Sequence, residues 1–372
     1  MKLKKTIRKL HLWLGLASGI ILFIVAVTGC IYVFEEEITS YTQHDFDYVN
    51  AQNSGRVPLD VVIDSFKKNH AENKLLFIKQ KESVPNATIV LGDKKIQVAY
   101  NPYNGKEVMS LDSKDSFFAI ILEIHRSLLL GDIGKNIIGV STFIFLFMLI
   151  SGLVLWFPTN FKKLKSYFTI SDKSAKRLNF DLHRIGGFYA SFILVFIAST
   201  GLFFSYDFVK KAVYAVTNSK PYTKWGPNSG MPKSTETDIA AIYAQIQKEY
   251  PNCIESNIYY PKESDGTIRV KLKYAYEYIP KYNTFFVDQF SGKIVQTDLD
   301  KNASMAEKVK NSIFGIHTGS IFGISGKIIA FLVVLIAASL PVTGFIMWRR
   351  KQKAKSKQIK PNDFIYKSIV EN

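Results

Sequence analysis

The sequence predicts a membrane α-helical bundle of four transmembrane helices, duplicated from a shared unit, with two extracytoplasmic α+β domains. Three observations predict it: four long windows without charge, a lopsided placement of Lys and Arg, and self-similarity at constant offsets along the 372 residues. The windows, Leu10–Phe34, Asn136–Phe161, Ile185–Tyr206 and Ile328–Trp348, contain no Asp, Glu, Lys or Arg. The shortest has 21 residues. At about 1.5 Å per residue, each can cross a hydrocarbon core of about 30 Å as a helix. A wholly soluble protein is thereby excluded, and the polar stretches between windows disfavour a pure-bundle transporter.

Charge placement orients the spans. Segments 1–10, 159–182 and 349–372 hold 19 of the 48 Lys and Arg but only four of the 31 Asp and Glu, so they carry +15 of the net +17. They flank the spans on one common side, which the positive-inside bias makes cytoplasmic. Charge so placed sets topology and favours anionic lipid; no nucleic-acid partner is implied. The expected order is a cytoplasmic N-terminus (1–10), a first span (11–35), an outer domain (36–116), an interfacial helix (117–135) and a second span (136–158). A basic loop (159–182), third span (183–206), second outer domain (207–312), interfacial segment (313–327), fourth span (328–348) and basic tail (349–372) follow, with both termini cytoplasmic. Cys30 and Cys253 are too few for a disulfide framework. Val27-Thr28-Gly29-Cys30 mimics a lipoprotein cleavage site, but the apolar run before it is long for a signal peptide, and the segment is expected to stay as a helix.

Repetition organises the chain. His125, Gly131, Gly134, Lys135, Ser151-Gly152 and Trp156 match His317, Gly323, Gly326, Lys327, Thr343-Gly344 and Trp348 at a constant offset of 192. His11, Gly15 and Thr28-Gly29 match His183, Gly187 and Thr200-Gly201 at 172, and Asn101–Lys106 matches Asp288–Lys293 at 187. Such periods mark a tandem duplication. In each outer domain a helix (59–70; 237–250) precedes strands (87–91 and 96–100; 268–274, 283–287 and 293–296). Gly105 and Gly292 fall where a hairpin turn needs positive φ.

These motifs, the His-x-x-x-Gly helix, the (Asn/Asp)-x-(Tyr/Phe)-x-Gly-Lys hairpin and the Ile-His-x-x-x-x-x-Gly-x-x-Gly-Lys lead into the next helix, resemble the PepSY-associated transmembrane family over roughly residues 5–350. The resemblance implies PepSY-like outer domains and an iron-regulated protein of the bacterial inner membrane. The better understood members resemble ferric-siderophore reductases that hold two b-type haems.

The residues carry part of that implication themselves. His11, His125, His183 and His317 occupy repeat-equivalent places at span ends; topology puts His11 with His183 at one face and His125 with His317 at the other. Bis-His ligation is what a low-spin electron-transfer haem needs, so these four are the candidate metal ligands. Gly15 and Gly187, one turn beyond their His, and Gly29, Gly152, Gly201 and Gly344, at the depth of the facing His pair, are the candidate cofactor-contacting positions. Arg126 and Arg184 are candidate partners for haem propionates, with Lys135 and Lys327 further cations; snorkelling and topology charge account for the same residues equally well. Trp13, Trp156 and Trp348 read as belt anchors. A zinc or copper site is disfavoured, because no Cys, Asp or Glu stands at ligand spacing.

The expected activity is reduction of a ferric chelate, such as a ferrisiderophore, at the outer face. The chain has no nucleotide or flavin motif, so the electron donor is a separate quinol or flavoprotein. The competing classes are a non-redox regulatory or peptidase-inhibitor-like binding protein and an iron-chelate transporter; the latter lacks acidic residues within the spans for ion coupling. Tyr222–Trp225 and Tyr259-Tyr260 are aromatic stretches that could stack on a chelate, although ordinary core or surface aromatics explain them better.

Overall fold

In the computed structural model, which describes residues 2–93, 95–112, 116–158, 160–220, 226–230 and 237–359, helices dominate both ends of the chain. The order is α1 (Lys2–Tyr32), α2 (Glu35–Thr42), α3 (His44–Asp47), α4 (Leu59–Asn69), β1 (Phe77–Gln80), β2 (Ile89–Gly92), β3 (Ile96–Tyr100), β4 (Glu107–Asp112), α5 (Phe117–Ser127) and α6 (Gly131–Trp156). It continues with α7 (Leu164–Tyr167), α8 (Ala175–Ser205), α9 (Asp207–Val216), α10 (Ile239–Glu249), β5 (Glu255–Tyr259), β6 (Thr267–Tyr274), β7 (Lys281–Asp288), β8 (Ile294–Asp298), α11 (Met305–Thr318) and α12 (Gly323–Ile359). The aromatic stretch 222–225 lies outside the described residues.

One compact unit contains α1, α6, α8 and α12. These four helices are long and apolar enough to cross a membrane. Each of α1 and α8 packs against both α6 and α12, closing a ring of four around Leu149, Ala190, Leu194 and Ala337. Ile20, Val140, Phe196 and Leu332 point outward and exposed, as lipid-facing residues must when the surrounding solvent is itself apolar. The helices outrun the uncharged windows. α1 starts at Lys2 and α8 at Ala175, so His11 and His183 sit two turns inside their helices, because the flanking Lys and Arg are themselves good helix formers.

The Gly-x-x-Gly-Lys segments have a packing reason. A Cβ on Gly134 would overlap the Ser127 carbonyl oxygen, and one on Gly326 would overlap that of Gly319. Each spanning helix therefore starts hard against the end of the short helix that carries a histidine. Gly131, Gly319 and Gly323 also take positive φ (56°, 79° and 63°), which reverses the chain between the two helices.

The second compact unit is built on a single antiparallel sheet of eight strands in the order β4-β3-β2-β1-β5-β6-β7-β8. Two separate outer domains were expected; the structure instead joins the halves through β1 and β5, with Ile78 opposite Ile258 and Gln80 opposite Ser256. Each of those strands would be the open edge of a four-stranded half, and pairing them satisfies both rows of backbone groups. Glu82, just after β1, locks the seam by accepting hydrogen bonds from Tyr243 (2.5 Å) and Ser256 (2.7 Å), while Arg56 pairs with it at 3.3 Å. α4 and α10 cover one face with Val62, Phe66, Tyr243 and Ile246 against Ile78, Leu91, Val270 and Phe285. Gly105 and Gly292 take φ of 66° and 71° in their hairpins, as the turn reading requires.

Candidate functional site

Each of the four histidines is half-buried at a contact between helices of the first unit, and the same pattern holds each one. On α1, His11 Nδ1 lies 2.8 Å from Ser151 Oγ of α6, and on α8, His183 Nδ1 lies 2.8 Å from Thr343 Oγ1 of α12. On α5, His125 Nδ1 lies 3.2 Å from Thr28 Oγ1 and 2.9 Å from the Val25 carbonyl of α1; on α11, His317 Nδ1 lies 2.9 Å from both Thr200 Oγ1 and the Ile197 carbonyl of α8.

A carbonyl only accepts, so Nδ1 of His125 and His317 is the protonated nitrogen. His183 has the Leu340 backbone as a further partner, and Thr343 Oγ1 also reaches the Ser339 and Leu340 carbonyls of its own helix. Ser151 Oγ reaches the Met148 carbonyl at 3.2 Å, which leaves its oxygen lone pairs available to His11 Nδ1–H. An imidazole protonated on Nδ1 keeps a lone pair on Nε2, for which no partner is described. Histidines that ligate a metal through Nε2 are oriented in this way by a partner on Nδ1.

The glycine after each hydroxyl residue lies against a ring. A Cβ on Gly29 would crowd His125 Cε1 at 3.1 Å, whereas one on Gly152, Gly201 or Gly344 would meet Cε1 of His11, His317 or His183 in van der Waals contact at 3.4, 3.4 and 3.5 Å. Gly15 and Gly187 face protein: a Cβ there would meet Met148 Cε at 2.8 Å and Leu340 Cδ2 at 3.6 Å. The structure thus brings four of the six glycines onto the histidines and the other two onto neighbouring apolar side chains.

The histidines pair as well. The rings of His125 and His317 have centroids 6.2 Å apart at 70°. His11 and His183 lie within electrostatic reach of one another, with no described ring contact between them. No group of three or more His, Cys, Asp or Glu gathers as a metal site among the described residues.

Residues 8–351 match the family described as the PepSY-associated TM region, and they include all four histidines and all four spanning helices. The chain belongs to that family. No curated protein matches it. This PepSY-associated protein is therefore a multi-pass membrane protein with an attached antiparallel sheet.

Its cations are placed unequally. Arg184 Nη2 donates to Asp181 (2.8 Å) and to the Ser166 carbonyl (2.8 Å) and the guanidinium lies 4.8 Å from the Tyr167 ring centre, while its Nε is buried without a hydrogen-bond partner. Asp181 is fully buried and also takes Arg177 at 2.7 Å. Arg126 and Lys135 are exposed, whereas Lys327 is buried. The indole Nε1 atoms of Trp156 and Trp348 are buried without a hydrogen-bond partner. Each lies four residues beyond a histidine-contacting glycine, hence on the same helix face. Sequence reasoning treated these indoles as belt anchors and passed over the Ser/Thr hydroxyls as ligand-orienting groups, although a hydroxyl residue directly before glycine recurs at all four positions.

Proposed function

We propose that this protein is a di-haem electron carrier of the bacterial inner membrane that reduces ferric chelates, ferrisiderophores included, at its outer face. The observation that carries the reading is one pattern repeated at four histidines: Nδ1 held by a hydroxyl or carbonyl, Nε2 without a described partner, and a glycine against the ring. The residues fit two b-type haems: His125 and His317 would hold one, and His11 and His183 the other. The rings of the first pair are neighbours, 6.2 Å apart, and the unpartnered indole N–H groups would be donors for haem carboxylates at the second. Bound haem supplies reversible one-electron chemistry; the protein supplies ligands, orientation and a dry path.

In this reading the chain is a tandem duplication with two PepSY-like halves outside. Both termini are cytoplasmic, placed there by the basic segments. The four His pair by depth, so a haem held by His11 and His183 would face a separate quinol or flavoprotein donor, and one held by His125 and His317 would face the ferric chelate. One electron converts Fe(III) to Fe(II) in the chelate, which holds Fe(II) more weakly and lets it go.

The test is optical and analytical. Purified protein should carry two haems per chain, extractable by acid acetone because no Cys-x-x-Cys-His exists for covalent attachment, and its dithionite-reduced spectrum should be six-coordinate. Protein expressed with haem supply intact and showing no Soret band would sink the proposal.

A further inference from the structure

A helix that begins where a membrane span ends has little freedom to leave the membrane surface. α8 ends at Ser205 and α9 begins at Asp207, with only Tyr206 between them. Tyr206 is extended (φ −131°, ψ 127°), so it interrupts the helix just after the apolar run Leu202, Phe203 and Phe204. Two residues of chain reach about 7 Å at most, which keeps the first turn of α9 in the interfacial layer beside the hydrocarbon core.

The two faces of α9 differ. On one, Tyr214 is buried and Lys210 is tied to Asp207 at 2.8 Å. On the other, Phe208, Ala212, Ala215 and Val216 line up at helical spacing, and all four are exposed, Phe208 by 57% and Val216 by 87%. Lys211, also exposed, borders this stripe. An apolar stripe open to water is unfavourable, whereas the same stripe laid into the headgroup and acyl boundary is stabilised, with a lysine at its rim among the phosphates. At the offset of 172 that aligns His11 with His183, α2 stands where α9 does and follows α1 as closely. There the counterparts of Phe208, Ala212, Ala215 and Val216 are Glu36, Ser40, Gln43 and His44, all polar. Packing at this place in the fold therefore does not demand an apolar stripe; a contact made by α9 alone does.

We propose that α9 lies in the plane of the membrane with Phe208, Ala212, Ala215 and Val216 among the lipid, while α2 stays in water. A second copy of the chain would be a poor cover for the stripe. Four side chains, two of them alanine, fall far short of the about 800 Å² per partner that a stable protein interface buries. Lipid sets no such minimum, because the spans already hold the protein in the bilayer. The contact depends on the membrane topology alone and not on haem or on any substrate.

Spin labels report which solvent touches each helix. Both native cysteines are buried, so a thiosulfonate nitroxide reaches only a cysteine introduced at the surface of the full-length protein, here in phosphatidylcholine nanodiscs. At Ala212→Cys and Val216→Cys, dissolved oxygen, which partitions into hydrocarbon, should relax the label more than a water-soluble nickel chelate does. At Ser40→Cys, the counterpart of Ala212, and at the exposed position Gln245→Cys on α10, the nickel chelate should dominate. Adding Phe208→Glu, which copies Glu36, should shift the Ala212→Cys label toward the nickel chelate. Val216 sits at the end of α9, so its label tests the contact even if a change at Ala212 disturbs the fold. Nickel dominance at both α9 positions would overturn the membrane contact, and shielding from both relaxants would put protein in place of lipid and overturn it equally. Oxygen dominance at Ser40→Cys would overturn the difference between the two helices.

Discussion

His11 is held by a different kind of atom from the other three histidines. His125 and His317 donate to the main chain, through the Val25 and Ile197 carbonyls, with a threonine hydroxyl beside each. His183 follows them, with the Leu340 backbone beside the Thr343 hydroxyl. The described bond of His11 goes to the Ser151 hydroxyl. A carbonyl cannot be removed by substitution, whereas a hydroxyl can. Three histidines are therefore fixed by helix geometry, and His11 is tunable by sequence. His125 and His317 also ride on short helices, each butted against a glycine at the start of the next span, while His11 and His183 lie within the long helices themselves.

The largest expected effects come from removing a ligand. His317→Ala should cost one of two haems, leave the His11/His183 spectrum intact and block oxidation of the remaining haem by ferric chelate added outside. His11→Ala should also cost one haem but leave the other reducible by an artificial reductant outside and unreachable from the cytoplasmic donor. Pyridine haemochrome content and stopped-flow reduction in oriented vesicles separate the two. Loss of both haems in either variant would mean that the pairs are not independent, and no spectral change in either would falsify axial ligation by these residues.

Smaller but more telling are changes one shell out. Ser151→Ala removes the described partner of His11 Nδ1, and losses of this kind weaken a metal site by about 10–100-fold. Thr28→Val leaves the Val25 carbonyl in place, so haem affinity at His125/His317 should change by only about two- to three-fold. Transfer of haem to apomyoglobin reads both. Comparable losses in the two variants would erase the distinction between His11, held by a hydroxyl, and the histidines held by the backbone. Arg184→Ala works differently: stranding part of the charge on buried Asp181 costs up to about 3 kcal/mol, so it should lower the melting temperature without singling out one haem.

What the sequence disclosed follows from the physics of each region. The spans were legible because lipid demands long uncharged runs, and the four histidines because the repeat offsets aligned them. Gly105 and Gly292 were legible because a tight turn at positive φ tolerates little else. The seam strands β1 and β5 were missed: Phe-Ile-Lys-Gln and Glu-Ser-Asn-Ile-Tyr are short and alternate weakly, and what makes them strands is each other, 178 and 176 residues apart at the facing pairs Lys79–Asn257 and Gln80–Ser256. The glycines next to the hydroxyl residues were located, but their contact is with an imidazole. Depth along a helix can be counted from sequence, but which ring fills the space cannot.

The smallest expected effect tests the indoles. Trp156 stacks on Phe188 with centroids 3.8 Å apart and meets Tyr167 and Phe168 edge-on, so its ring is already stabilised by aromatic neighbours and Trp156→Phe should leave the fold intact. What the substitution deletes is a buried N–H without an acceptor. If that N–H donates to a carboxylate of the haem at His11/His183, its loss leaves more negative charge beside the iron, which favours the ferric state and lowers the midpoint potential of that haem alone. Trp348→Phe, at the equivalent place on α12, should act in the same direction, and the double variant should sum the two shifts. The His125/His317 potential should stay where it was, which serves as an internal control in the same redox titration. Unchanged potentials at both haems would return the two tryptophans to membrane-belt anchors and leave the contrast between His11 and the other three histidines resting on their hydroxyl and carbonyl partners.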